Sequence, residues 1–162
     1  MTSEHRETLR LPYGADDLFD LVSDVRAYPG FIPLISALRV IRDDVHDGIG
    51  ELDAEARVQF RFVRESFTTR VLLNRPDRVI RVSYLSGPFH ELANEWRFEE
   101  QEGGETAVSF WIRYRFRNPV LNALMDASRS RAIRYLIERF REEAARRYGP
   151  APSASGRLGQ KT

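Results

Sequence analysis

At 162 residues the chain is sized for one domain, able to take about two-thirds of its unfolded surface out of water. Its 25 basic and 24 acidic residues leave a formal net charge of +1, which excludes a global electrostatic pull toward DNA or RNA. There is no cysteine, which excludes disulfides, thiolate nucleophiles and cysteine-held zinc or iron–sulfur centres together.

His5 to Leu11 alternates, with Leu9 and Leu11 on one face and Arg6, Thr8 and Arg10 on the other, and predicts a first strand. Pro12-Tyr13-Gly14 ends it. From Ala15 to Val25, Leu18, Phe19, Leu21, Val22 and Val25 fall at helical spacing, and Asp16 and Asp17 occupy the first turn, where the helix dipole favours acids. Two prolines keep Tyr28-Pro29-Gly30-Phe31-Ile32-Pro33 from forming a regular helix or a central strand, leaving an apolar loop or short helical turn that must pack on something. From Leu38 the period becomes two, and Leu38–Ile41 is a short strand. The clearest strand is Glu51 to Val63: Leu52, Ala54, Ala56, Val58, Phe60 and Phe62 alternate with Glu51, Asp53, Glu55, Arg57, Gln59 and Arg61, as in an antiparallel sheet with one wet face. Asp47-Gly48 ahead of it is a hairpin signal. Strands over Phe67–Leu73, Val79–Leu85, Leu92–Glu99 and Thr106–Phe116 follow, separated by Asn74-Arg75-Pro76-Asp77, Ser86-Gly87-Pro88 and Gly103-Gly104. The hairpin-sized connections make an antiparallel meander, and the strands number seven in all.

The last pattern, Pro119 to Tyr148, opens on Asn118-Pro119, an N-cap followed by proline at the first helical position, and closes on Gly149-Pro150. Leu121, Met125, Ala132, Leu136, Phe140 and Ala144 recur at helical spacing, with Leu124, Ile133 and Ile137 widening the stripe. One helix of about thirty residues would run about 45 Å, so the economical fold is α+β, one curved sheet wrapped around one long C-terminal helix. Residues 1–148 form the domain, and residues 149–162, rich in Gly, Pro, Ala and Ser, are expected to be a disordered tail.

No catalytic constellation stands out. His5, His46 and His90 have no partner at metal-ligand spacing, so neither a metal centre nor a catalytic cofactor is expected. Nucleophile-elbow, phosphate-loop and dinucleotide glycine patterns are absent. His90 beside Glu91 is the sole candidate acid–base pair, against the plainer reading of two polar residues at a strand start. Glu51, Asp53 and Glu55 read as solvation of a wet face. The richer signal is aromatic: Phe60, Phe62, Phe67, Tyr84, Phe89, Trp96, Phe98, Phe110, Tyr114 and Phe116 lie on strands or their loops, many in the phase that faces the helix. Each alone reads as core. As a set, with the small Ala54 and Ala56 leaving room, they point to an apolar cavity between sheet and helix that suits a hydrophobic small molecule. Trp111 has the outward phase and reads either as a contact surface or as a ring resting under arginine stems. The final helix carries seven arginines (129, 131, 134, 139, 141, 146 and 147) against four acids (126, 138, 142 and 143). A solvated face is the default, and attraction to anionic lipid or to ribosomal RNA phosphate is the sharper alternative.

The run Asp24-Val25-Arg26-Ala27-Tyr28-Pro29-Gly30-Phe31-Ile32-Pro33 resembles a D-V-x-x-Y-P-x-F-x-P segment of the coenzyme-Q-binding, START-like proteins of the polyketide cyclase/START superfamily, a family that also includes the bacterial ribosome-association toxin. Phe67-Thr68-Thr69-Arg70, Gly87-Pro88-Phe89-His90-Glu91-Leu92 and then Trp96-Arg97-Phe98 are similar to further family segments in the expected order, and the resemblance covers about Glu4 to Tyr148. Where many relatives have a cysteine soon after the second proline, this chain has Leu34-Ile35. The resemblance implies a helix-grip (START/Bet v 1-like) fold, and binding of ubiquinone or a related polyprenyl lipid by a carrier or chaperone that supports respiration without catalysis. On that reading the lipid lies against Phe60, Phe67, Trp96, Phe110, Tyr114, Leu121 and Met125, with Tyr28, Phe31 and Phe89 at the mouth. The rival expectations are a ribosome-binding modulator of subunit association and a cyclase or dehydratase relying on His90. The segment Met1 to Glu7 lacks the apolar core of a signal peptide, and no apolar run approaches the roughly eighteen residues that span a bilayer. The expected location is the cytoplasm, with at most peripheral contact at the inner membrane, and no DNA partner.

Overall fold

The computed structural model describes residues 2–60 and 63–149. Seven strands, β1 (Ser3–Leu11), β2 (Ile35–His46), β3 (Ile49–Phe60), β4 (Val63–Asn74), β5 (Val79–Ser86), β6 (Phe89–Glu100) and β7 (Thr106–Phe116), form one antiparallel sheet in the order β1-β7-β6-β5-β4-β3-β2. The meander runs from β2 to β7, β1 pairs with β7, and the sheet does not close on itself. Helices α1 (Ala15–Ser23) and α2 (Tyr28–Phe31), joined by a 3-10 turn at Val25–Ala27, cross from β1 to β2; α3 (Pro119–Ala127) and α4 (Arg129–Tyr148) follow β7. The expected sheet-around-helix architecture is the one observed.

Its curvature comes from residues the alternation pattern does not reveal. The strand registers skip one residue at Ser36, Ile41, Leu85 and His90, and all four side chains are exposed. Such bulges bend a strand and strengthen its twist. They also reset its phase. Phe89 and Leu92, three apart, both face inward because His90 is the extra residue between them.

Three expected boundaries move. The short strand expected over Leu38–Ile41 runs from Ile35 to His46. The strand expected to reach Val63 ends at Phe60, and Val63 opens the next strand with Phe60 paired to it; Arg61 and Phe62 lie outside the described residues, as does the expected tail from Pro150 onward. Phe60 keeps the inward phase but is 43% exposed, at the end of its strand. The single long helix is instead two, broken at Ser128 (φ −99°, ψ 4°). Aspartate and serine are weak helix formers, and neighbours hold this turn: Ser3 Oγ donates to Asp126 at 2.5 Å and the Tyr114 hydroxyl donates to the Met125 carbonyl at 3.4 Å. The expected N-cap is present, Asn118 Oδ1 accepting from the N–H groups of Val120 and Leu121 at 2.9 and 3.2 Å.

The outward face of the sheet is more ordered than plain solvation. Asp53 accepts from Arg70 Nε at 2.9 Å and Arg42 Nε at 3.2 Å, and Arg42 also reaches Glu51 at 2.7 Å. The Arg70 hydrogen bond, helped by Arg42, pulls the Asp53 carboxyl down to about 2. Trp111 lies outward as expected, between the guanidinium groups of Arg6 and Arg113, its Nε1 donating to Glu4 at 2.9 Å.

The far end of α4 is fixed against α1. The Tyr148 hydroxyl donates to the Asp17 carbonyl at 2.8 Å, the Tyr13 hydroxyl to the Gly149 carbonyl at 3.2 Å, and Arg147 bridges Asp24 at 3.2 Å and Glu143 at 2.8 Å. Glu143 is buried, and hydrogen bonds from Arg146 first and Arg147 second hold its carboxyl down to about 2 from 4.5, against the opposing effect of burial. A carboxyl depressed by folding stabilises the fold fully above its unfolded value and loses that contribution as pH falls through its folded value. The Glu143 contribution is therefore lost between pH 4.5 and about 2. Glu143→Gln should lower stability at neutral pH by about 1.5–3 kcal/mol. Its melting temperature should fall less than the wild type's between those pH values, which a pH series of thermal melts reads directly.

Candidate ligand cavity

The core divides into two clusters. The larger packs α1 and α4 on the sheet through Phe19, Leu21, Ile80, Phe98, Phe140 and Ala144; the smaller gathers Phe89, Leu92 and Tyr114, with Phe67, Tyr84, Ile112, Phe116 and Met125 against them. Between and bordering both lies a cavity of about 300 Å³. Its sheet wall includes Ala54, Ala56, Phe67, Val71, Val82, Trp96, Phe110 and Tyr114; its helix wall includes Met125, Arg129, Ile133 and Phe140.

Aromatic rings gather at one end. The Phe140 ring meets Tyr28, Phe31 and Trp96 at centroid distances of 5.4, 5.4 and 5.2 Å, all edge-to-face. At the other end Phe89 stacks on Phe116 at 4.4 Å and meets Phe67 edge-on at 5.4 Å, while its N–H donates to the Tyr84 hydroxyl at 3.1 Å. A second, outer groove of about 590 Å³ is lined by Pro33, Gln59, Phe60, Val63, Leu124 and Arg131, among others, and Leu34, Met125 and Ala132 line both spaces.

The structure gathers Tyr28, Phe67, Phe89, Trp96, Phe110, Tyr114 and Met125 of the expected ligand residues on the cavity wall. Three fall elsewhere. Phe60 lines the outer groove, Phe31 packs behind Tyr28 on Phe140, and Leu121 is half-buried on α3 outside the lining. Phe89 is a buried member of the aromatic cluster, so it walls the cavity instead of standing at an open mouth. His90 is the exposed bulge residue, and Glu91 accepts from the Thr2 hydroxyl at 2.6 Å; neither lines the cavity. Among the described residues no group of three or more histidines and acids comes together as a metal site.

Three polar lining residues were not anticipated from the sequence: Thr69, Asn94 and Arg129. Thr69 and Asn94 share the inward phase with Phe67 and Val71, and with Leu92 and Trp96, so the alternation itself marks them as polar side chains on the apolar face. The two phenols are differently placed from ordinary surface tyrosines. Burial pushes the Tyr28 hydroxyl up, and it donates to the Val22 carbonyl; burial also raises Tyr114.

Residues 11–141 match the family model described as polyketide cyclase / dehydrase and lipid transport. The chain belongs to that family. Among curated relatives it is 30% identical to the ribosome association toxin RatA of Rickettsia prowazekii (strain Madrid E), over 86% of this chain and 94% of that protein. It is 26% identical to the mitochondrial coenzyme Q-binding protein COQ10 of Drosophila melanogaster, over 85% of this chain and 57% of that one. Among solved structures, the 18 kDa protein CC1736 of Caulobacter crescentus superposes with a TM-score of 0.76 at 42% identity, over 91% of this chain and 99% of that one.

The family segment Gly87-Pro88-Phe89 acquires a physical reason from the cavity wall. Gly87 has φ +137°, where side chains are strained, and a Cβ there would stand 2.6 Å from Phe67 Cβ. Gly87→Ala should therefore cost about 1–3 kcal/mol in a denaturant titration. Gly30→Ala, where an added Cβ meets nothing within 4 Å, should be neutral or slightly stabilising.

Proposed function

We propose that this protein binds ubiquinone or a related ring-headed polyprenyl lipid in its cavity, as a carrier or chaperone supporting respiratory electron transfer. The observation that carries the reading is the almost wholly apolar pocket between the two core clusters. At about 300 Å³ it holds about ten water-sized groups, enough for a substituted ring but not for a long isoprenoid tail. The outer groove, reached past Leu34, Met125 and Ala132, supplies a path along which the tail leaves. Transfer of apolar surface from water, at about 25 cal/mol per Å² before ordering costs, drives the binding. The coenzyme Q-binding relative supports the same ligand class. Exposed Leu124 on α3 and Phe60 line the groove and suit transient contact with a bilayer surface, and no helix among the described residues is long and apolar enough to cross one.

Binding without chemistry is the reading for the site, supported by the position of His90 and Glu91, the acid–base pair the sequence offers, outside the cavity. The test is mass spectrometry of the organic extract from protein purified without detergent from a quinone-containing host. Wild type should carry quinone, and both Met125→Glu, which puts a charge in the wall common to cavity and groove, and Ala56→Leu, which fills the cavity, should lose it. Equal retention by all three proteins would sink the proposal.

The ribosome association toxins favour a second reading, since one of them matches this chain over nearly its whole length. The helix surface gives it less support than the arginine count suggests. Arg129, Arg139, Arg141, Arg146 and Arg147 are paired with neighbouring acids, and among the described residues only Arg131 and Arg134 of the seven have no ion-pair partner. If the helix binds ribosomal RNA, co-sedimentation should weaken steeply with salt, and the double change Arg131→Ala, Arg134→Ala should flatten that dependence by about two phosphate contacts. Salt-independent or absent co-sedimentation removes this reading.

A further inference from the structure

The polar groups on the cavity wall are unequally committed. The Tyr28 hydroxyl donates to Val22 and the Tyr114 hydroxyl to Met125, both backbone carbonyls, while Arg129 is paired with Asp126 at 2.9 Å. Asn94 is different. Its Oδ1 is buried with no hydrogen-bond partner among the described residues. Its cross-strand neighbours are Val82 on β5 and Ile112 on β7, and its neighbours along the same face of β6 are Leu92 and Trp96. All four also line the cavity, and none of the aliphatic three can bond an amide. A buried amide oxygen without a donor is a standing cost to the fold, and native structures carry few of them.

We infer that Asn94 is the polar anchor of the cavity, its Oδ1 accepting a hydrogen bond from a ring hydroxyl at the buried end of the ligand. The inference rests on the proposed lipid binding and specifies which end of the lipid enters and what the site reads. The unpartnered Oδ1 is an acceptor, so a hydroxyl-bearing ring such as a hydroquinone satisfies it and a quinone carbonyl, itself an acceptor, does not. Trp96, two residues along on the same face, sets an aromatic surface beside that contact. Thr69 adds a hydroxyl to the same cavity. Together these groups select amphiphiles with a hydroxyl-bearing ring over hydrocarbon chains and unsubstituted rings of equal length.

The test compares two probes with the same ten-carbon tail, decylubiquinol kept reduced and decylbenzene, each presented from the same cyclodextrin carrier and titrated into the full-length wild type and into Asn94→Leu and Asn94→Ala. The leucine replaces the amide by an apolar group of similar shape, and the alanine removes it without crowding the cavity. Both variants should bind decylubiquinol about tenfold more weakly, the size of one good hydrogen bond, and bind decylbenzene within about twofold of wild type. The melting temperature of ligand-free Asn94→Leu should rise, since an unpaired amide is gone. Unchanged decylubiquinol affinity in Asn94→Ala, or equal loss of both probes in both variants, overturns the anchor while leaving the cavity a lipid site. A wild type that binds neither probe overturns the lipid reading and the anchor with it.

Discussion

The structure depends on one ring, Phe140, set where sheet, helix and the proline-rich turn converge. It touches Tyr28 and Phe31 from the turn and Trp96 from the sheet, each edge-to-face at just over 5 Å. Aromatic pairs in this geometry add about 0.5–1.5 kcal/mol each beyond the area they bury. The contacts decide more than stability. Tyr28-Pro29-Gly30-Phe31 has no buried residue of its own in the strict sense and too few residues to hold a helix alone, so its neighbours position it, Phe140, β2 and the Val22 carbonyl among them. With Tyr28 the same ring walls one end of the cavity. The ion pairs and tyrosine bonds that tie the last turns of α4 to α1 fix where Phe140 stands, and in that sense this aromatic end of the cavity is built from the C-terminal end of the helix inward.

The other end is built from the sheet. Four bulges curl it enough to enclose α4, and the bulge at His90 turns Phe89 into the smaller aromatic cluster beside Leu92. Gly87 brings its backbone against Phe67 where any side chain would collide. The two clusters are thus separate solutions to packing, one under α1 and α4 and one under α3, and the space between them is what neither fills. Ala54 and Ala56 on β3 keep it open from below.

Much of this was legible in the chain because periodicity is a property of single segments. The alternation in β3 and the helical stripe from Leu121 to Ala144 each follow from which residues face a core, and the Tyr28-to-Pro33 segment declared itself through its prolines. What escaped depends on partners. A bulge exists only relative to the neighbouring strand's register, so His90 read as a strand-start residue near a glutamate and not as an outward kink. The break at Ser128 follows from Ser3 and Tyr114 reaching across from β1 and β7, which no local propensity encodes. Phe60 has the right phase for the interior, but phase says nothing of how closely the opposing side chains pack on it, and it is left half-exposed in the outer groove. Asn94 is the opposite case: the inward phase was visible, and a polar residue in it was the signal that went unused.

Apolar side chains that pack against nothing lose the contacts a filled core would give them, and this pocket is walled almost wholly by such side chains. A larger side chain at either alanine of β3 would fill the space, yet the chain keeps two small residues there and sets an unpaired amide on the inward face of the same sheet. On the proposed reading one occupant answers both, an apolar body whose ring hydroxyl reaches the amide oxygen, whereas a core shaped only for packing would have no use for either.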